Sequence, residues 1–202
     1  MTTTDVVVLV FGDRRTPAPL RGLATVSVSD PAGIDAATAR AGRLIVVGSH
    51  ADLAAVLTRL MRTEKLDVEV GFASGRLSAR RARRGSARRV PLIRDDTGTV
   101  IVEAAEWRGA RAEEGLYGEA VVDDTVLFDG EVPCVRIEPT EDMPGLRAAV
   151  LSTRGRPRRW VAGRAAQLGS AGARVLRDGV PAPRDVKRST FYRHTQGWLR
   201  VG

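Results

Sequence analysis

The stretch Arg43 to Arg62, RLIVVGSHADLAAVLTRLMR, most constrains what this chain can fold into. Leu44, Ile45, Val46 and Val47 form a short apolar, β-branched run that ends at Gly48, which predicts a strand covered on both faces. Leu53, Val56, Leu57, Leu60 and Met61 then recur at helical spacing along one stripe. A buried strand that feeds an amphipathic helix through a small-residue turn belongs to an α/β layer architecture. The same arrangement aims the helix's unpaired N–H groups at the carboxyl end of the strand, where phosphates bind in many α/β proteins.

The rest of the first half fits that frame. Asp5 to Phe11, DVVVLVF, reads as a strand, followed by a loop with Gly12, Pro17 and Pro19. Thr25 to Val28 reads as a second strand, and Asp30 to Arg40 as a short helix with Pro31 near its start. Leu66 to Phe72 alternates apolar and polar residues as a half-buried strand does. The order β, β, α, β, α, β predicts a mainly parallel sheet with helices packed on it. Gly75 to Arg89, GRLSARRARRGSARR, then separates this half from the remainder as the most cationic window. Beyond it, Thr99 to Ala105, Glu119 to Phe128, Val132 to Glu138, Leu146 to Leu151, Arg159 to Gln167, Ala173 to Arg177 and Trp198 to Val201 read as strands. Asp129-Gly130 and Asp178-Gly179 read as turns among them. The expected division is an α/β lobe over 1–89 and a mainly β, sandwich-like lobe over 90–202.

At 202 residues the chain can bury one large core or two small ones. No apolar run approaches the roughly 20 residues of a membrane-spanning helix, and the Met-Thr-Thr-Thr-Asp start lacks the basic and apolar regions of a secretory leader. A cytoplasmic location is the expectation. Cys134 is the single cysteine, which excludes an intrachain disulfide and a thiolate metal cluster and leaves a core thiol. The net charge of +8 invites polyanions, yet only Lys65 and Lys187 are lysines, and excess Arg beside abundant Ala, Gly and Val is what a GC-rich genome gives.

An α/β half with a strand, glycine turn and helix, followed by a β-rich half with Asp-Gly turns, resembles the catalytic domain of the diacylglycerol kinase and NAD kinase superfamily. The family's Gly-Gly-Asp-Gly-Thr motif falls on Gly48, Ser49, His50, Ala51 and Asp52, of which Gly48 keeps the family residue. Its second loop falls on Phe72 to Arg76, without the family's Asn-Asp pair. Its Asp-Gly-Glu turn has two counterparts, Asp129-Gly130-Glu131 by triplet and Asp178-Gly179 by position. The resemblance implies ATP and Mg²⁺ as cofactors, Gly48 to Asp52 facing the phosphates, and Asp178 or Asp129 orienting the acceptor. An active protein of this kind would be an ATP-dependent lipid or small-molecule kinase; a diverged one would bind a nucleotide or phosphorylated ligand without catalysis.

Each feature has a plainer reading beside the functional one. Ser49 and Asp52 stand three apart, as a helix capping box does. Asp52 would then suit the helix dipole and repel a phosphate brought to the same N–H groups. Arg80, Arg81, Arg83 and Arg84 can hold a nucleic acid or an anionic membrane, or they can form a solvated linker or exposed helix. No aromatic residue is interleaved to stack on bases. The tail VKRSTFYRHTQGW, Val186 to Trp198, concentrates polar side chains, and His194 lacks a sequence neighbour to orient it as a base. A structural or regulatory protein with no ligand of its own is the third reading.

Overall fold

The computed structural model describes residues 5–111 and 113–202. The leader reading concerns Met1 to Thr4, which lie outside them together with Ala112. The described residues form two compact units, one ending at Val90 and rejoined by residues 196–202, the other lying between Pro91 and Thr195.

The first unit is a six-stranded sheet with helices on it. Its elements are β1 (Val6–Phe11), β2 (Ala24–Val28), α1 (Pro31–Thr38), β3 (Arg43–Val47), α2 (His50–Arg62), β4 (Glu69–Phe72), α3 (Arg76–Arg84) and β5 (Ala87–Val90), completed by the chain's last strand, β17 (Trp198–Val201). The spatial order is β2-β1-β3-β4-β17-β5, parallel throughout except for β5 against β17. Val8, Val10, Ile45 and Val47 meet Ala79 and Ala82 of α3 in one cluster. The alternate residues Val7, Leu9, Leu44 and Val46 are equally buried, which leaves α1 and α2 to cover the opposite face. Pro31 fills the first turn of α1, as the sequence predicts, and Asp30 caps the helix by accepting from the Gly33 N–H.

The cationic window is part of this unit and not a linker between halves. Residues 76–84 are helical because Ala79 and Ala82, three apart, supply a narrow apolar seam. That seam sits close on β4, where a Cβ on Gly71 would lie 2.7 Å from the Ala82 Cβ. Arg43 fastens the far end: its Nη1 donates to the carbonyl of Arg83 at 2.9 Å while its Nε donates to Glu69 at 2.6 Å. The C-terminal carbonyls of α3 thus receive the donors that a helix end requires. Residues 87–90 go on to pair with β17.

The second unit holds an eleven-stranded antiparallel sheet. Its strands are β6 (Ile93–Asp95), β7 (Val100–Ile101), β8 (Ala105–Gly109), β9 (Leu116–Val122), β10 (Thr125–Val132), β11 (Cys134–Pro139), β12 (Leu146–Leu151), β13 (Val161–Gly163), β14 (Ala165–Arg177), β15 (Val180–Pro181) and β16 (Val186–Arg193). The main path runs β13-β12-β11-β8-β14-β16-β6-β7. The long strand β14 pairs with β9 through residues 166–170 and with β8 through 173–177, with a shift between Gly169 and Ala173. β10 then packs across β12, enclosing a core of Trp107, Leu116, Phe128, Val135, Ile137, Leu146 and Phe191. The indole N–H of Trp107 donates to the buried Ser189 hydroxyl at 3.0 Å, which satisfies its one polar atom. Among the described residues no helix is long and apolar enough to cross a membrane.

Several expected elements of this half differ. Thr99 to Ala105 is interrupted between β7 and β8, and Val132 to Glu138 breaks at Pro133 between β10 and β11. Arg159 to Gln167 breaks at Arg164 between β13 and β14, and Ala173 to Arg177 is the end of the long β14 and not a separate strand. Glu119 to Phe128 is a hairpin and not one strand, turning at Asp123-Asp124 between Val122 and its partner Thr125. Asp129-Gly130 is not a turn but lies inside β10, paired with Glu119 and Gly118. The sequence signal for a reversal sits at the wrong aspartate, because Gly130 uses its positive φ of 111° within the strand.

Candidate functional site at the carboxyl ends of the parallel strands

Val10 of β1 is level with Val47 of β3, and Val46 is level with Phe72 of β4, so the turns after these strands leave the sheet along one edge. They are the loop from Gly12 to Arg15, the turn Gly48-Ser49 and the turn Ala73 to Gly75. The second and third each deliver a helix N-terminus to that edge. Four N–H groups at each terminus have no intrahelical partner, and the aligned peptide dipoles favour negative charge there.

At α2 an internal anion takes this place. Ser49 is the N-cap and its hydroxyl accepts from the Asp52 N–H at 3.2 Å. The Asp52 carboxylate reaches back to accept from the Ser49 N–H at 2.7 Å and from its hydroxyl at 2.8 Å. This is a complete capping box with aspartate as the acid. A Cβ on Gly48 would lie 2.7 Å from the Asp52 carboxylate oxygen and 2.8 Å from its Cβ, so only glycine lets the cap close over the turn. His50 sits in the first turn of α2 with its ring centroid 5.0 Å from that of Phe72. Gly48 to Asp52 are therefore together at the edge, with Ser49 and Asp52 bonded to each other.

At α3 the entrance is more open. The Gly75 N–H donates to the Ser78 hydroxyl at 2.9 Å, no acidic residue lies in the first turn, and a Cβ on Gly75 would touch nothing within 4 Å. Arg76 stands in that first turn, and Arg14 and Arg15 lie exposed on the loop after β1. Sequence reasoning passed over Arg14 and Arg15; the available signal is a dibasic pair just beyond a buried parallel strand. Arg80, Arg81, Arg83 and Arg84 are exposed further along α3, and Arg83 donates to the Pro19 carbonyl at 2.5 Å.

The two aspartates named with them belong to the other unit. Asp178 has φ 48° and Gly179 φ 83°, the left-handed pair that a two-residue hairpin between Arg177 and Val180 requires. Its carboxylate accepts from the N–H groups of Val102, Glu103 and Ala104 at 2.7–3.2 Å, and its own N–H donates to the Ala104 carbonyl at 2.8 Å. Asp123, at φ 49°, does the same for Arg164 and Ala165. Asp129 is exposed on β10, opposite Glu119. Two grooves open on this unit. One, of about 220 Å³, is smaller than the roughly 300–1,000 Å³ of ordinary ligand pockets. The other, about 490 Å³, is lined by Glu113, Glu114 and Glu131, whose charges repel phosphate. Among the described residues no group of three His, Cys, Asp or Glu side chains is placed to hold a metal ion.

Two further titratable groups are shaped by burial. His194 is held below the usual imidazole value by burial and by the Arg94 charge, so it is the neutral ring that the fold favours. Burial, with the Glu106 charge behind it, pushes the Cys134 thiol up to about 11. At pH 8 its alkylation by iodoacetamide is therefore expected to be about a hundredfold slower than in the guanidinium-unfolded chain, because the thiolate is the reacting form. Equal rates in the two states would remove that reading.

No protein-family model and no curated protein matches the chain. Solved structures do. A diacylglycerol kinase from Bacillus anthracis str. Sterne matches with a TM-score of 0.74 and 11% identity, over 100% of this chain and 98% of that one. An NAD kinase from Archaeoglobus fulgidus in complex with ATP matches with a TM-score of 0.64 and 9% identity, over 98% and 93%. With a likeness that spans nearly the whole of each chain at 9–11% identity, the chain has the diacylglycerol kinase and NAD kinase-like fold.

Proposed function

We propose that this protein binds a nucleotide or phosphorylated small molecule at the carboxyl edge of its first sheet and does not transfer the phosphate. The observation that carries the reading is the Asp52 carboxylate seated on the Ser49 N–H at 2.7 Å. A fold whose neighbour was solved with ATP supports a nucleotide ligand, and the helix N-termini gathered at the sheet's carboxyl edge are where its phosphate is favoured, while a fixed carboxylate at the α2 N-terminus opposes a triphosphate wrapped around the turn. The ligand's phosphate instead meets the open N-terminus of α3, with Arg14, Arg15 and Arg76 as the nearest candidate cations by position in the chain. Asp178 supports the same conclusion, since its carboxylate is engaged by three backbone N–H groups and offers little as an acceptor-orienting base.

The test is a thermal-shift series with ADP, ATP, NAD and inorganic pyrophosphate on the native chain and on Asp52→Ala. A ligand that binds the folded state raises its melting temperature. Asp52→Ala is expected to lose about 1 kcal/mol of stability with the cap and to show a larger ligand-induced shift than the native chain, because the α2 N–H groups are freed for phosphate. No shift with any ligand in either protein would overturn binding. Phosphate transfer from ATP to a lipid or small-molecule acceptor, abolished in Asp178→Asn, would overturn the non-catalytic part.

A further inference from the structure

The outward face of α3 carries a feature that phosphate binding at the sheet edge does not use. Leu77 is 73% exposed, the highest value among the exposed large apolar side chains of the described residues. Arg80, Arg81 and Arg84 follow it at i+3, i+4 and i+7 and so share its face. The helix is inverted relative to an ordinary surface helix: its inner seam is only Ala79 and Ala82, and its outer stripe is one leucine ringed by guanidinium groups. Several arginines elsewhere are neutralised by carboxylates, as in the pairs Arg43 with Glu69, Arg59 with Asp35, Arg136 with Glu138 and Arg147 with Glu138. Among the described residues Arg80, Arg81 and Arg84 pair with no carboxylate, and no Asp or Glu occurs between Glu69 and Asp95. Like charges spaced three and four apart repel one another along a helix that is short enough to be marginal by itself.

We infer that this face docks on an anionic lipid bilayer, with Arg80, Arg81 and Arg84 on the headgroups and Leu77 entering the boundary of the acyl region. Charge complementarity relieves the repulsion, because the surface potential of an anionic leaflet concentrates basic side chains within a Debye length. The leucine decides between polyanions. A nucleic acid rewards rings that stack on bases, and α3 has none; a bilayer rewards an exposed alkyl group between cations whose stems can lie along the interface. The inference is independent of the phosphorylated ligand, since it uses side chains on the outer stripe of α3 and not the N–H groups of its first turn.

Co-sedimentation of the full chain with phosphatidylcholine vesicles, alone and mixed with phosphatidylserine, tests it without any nucleotide present. Binding is expected on the mixed vesicles at low salt, to fall steeply as salt rises, and to be nearly lost on phosphatidylcholine alone. At about fivefold per basic residue, the Arg80→Gln, Arg81→Gln, Arg84→Gln variant should bind roughly a hundredfold more weakly. Leu77→Ser should bind several-fold more weakly with an unchanged salt slope. All four positions face solvent and Gln is a good helix former, so the variants should melt with the native chain. Vesicle binding that is absent, or that ignores the arginine changes, would overturn the inference. So would tight binding of a single-stranded or duplex oligonucleotide that is indifferent to Leu77→Ser and unaccompanied by vesicle binding, which would make the face a nucleic-acid surface.

Discussion

Replacing Asp95 with Ala is expected to lower the unfolding free energy by about 3–5 kcal/mol, the loss typical of breaking a buried ion pair from one side. Asp95 is fully buried at the end of β6. One carboxylate oxygen accepts from the Thr97 N–H, the Thr97 hydroxyl and the Thr99 N–H at 2.7–3.0 Å, which closes the turn into β7. The other accepts from Arg177 Nε at 2.5 Å, and Arg177 Nη2 joins it in an ion pair. Deletion strands a largely buried guanidinium and leaves two backbone donors of the turn without their acceptor at once. Urea unfolding followed by circular dichroism should show a lower midpoint with an unchanged slope. Asp95→Asn keeps an acceptor for the turn but not the charge, so it should retain part of the loss, and Arg177→Met should restore part of it in the double variant. A loss below about 1 kcal/mol for Asp95→Ala would mean that water reaches the pair and that the burial is not functional.

What the sequence makes legible follows from how local each cause is. The strand, glycine turn and helix from Arg43 to Arg62 are legible because one segment contains the whole cause: a β-branched run, a glycine, a cap and a stripe. The same holds for β1, for α1 with its Asp30 cap, and for Leu146 to Leu151 and Trp198 to Val201, which match β12 and β17 residue for residue. The partner of β17 is another matter. It lies between β4 and β5, more than a hundred residues upstream, and nothing in WLRV states which sheet will take it. The helical nature of residues 76–84 was obscured for a related reason: its apolar seam is two alanines, whose fit depends on a glycine in β4.

Site residues divide along the same line. Capping by Ser49 and Asp52 is a matter of three residues and could be weighed from sequence. The importance of Asp95, and the hairpin at Asp123-Asp124, depend on partners at Arg177, Arg164 and Ala165 that spacing cannot reveal. Asp129-Gly130 carried the familiar reversal signal, yet its register with β9 fixes it mid-strand. A family motif read by triplet therefore points to Asp129, and a motif read by position points to Asp178, without either reading knowing what the carboxylate touches.

Asp178→Ala is expected to cost about 2–4 kcal/mol, and this is the change that separates a structural aspartate from a chemical one. Three N–H groups lose a charged acceptor. Hydrogen bonds to a charged group are worth about 1.5–3 kcal/mol each when lost to no replacement, but partial exposure of the 102–104 segment lets water compensate some of them. A left-handed φ of 48° adds about 1 kcal/mol against alanine, which tolerates it less well than aspartate or asparagine. Asp178→Asn preserves both the side-chain carbonyl and the turn preference, so its loss should stay near or below 1 kcal/mol. Thermal and urea unfolding of the two variants, with hydrogen exchange at Val102 to Ala104, gives the comparison: rapid exchange there in Asp178→Ala and near-native protection in Asp178→Asn. A catalytic carboxylate behaves in the opposite way, tolerating Ala and Asn equally in stability while losing turnover in both. Equal, small stability losses for the two substitutions would thus return Asp178 to chemistry, and a large Ala-specific loss ties it to the fold.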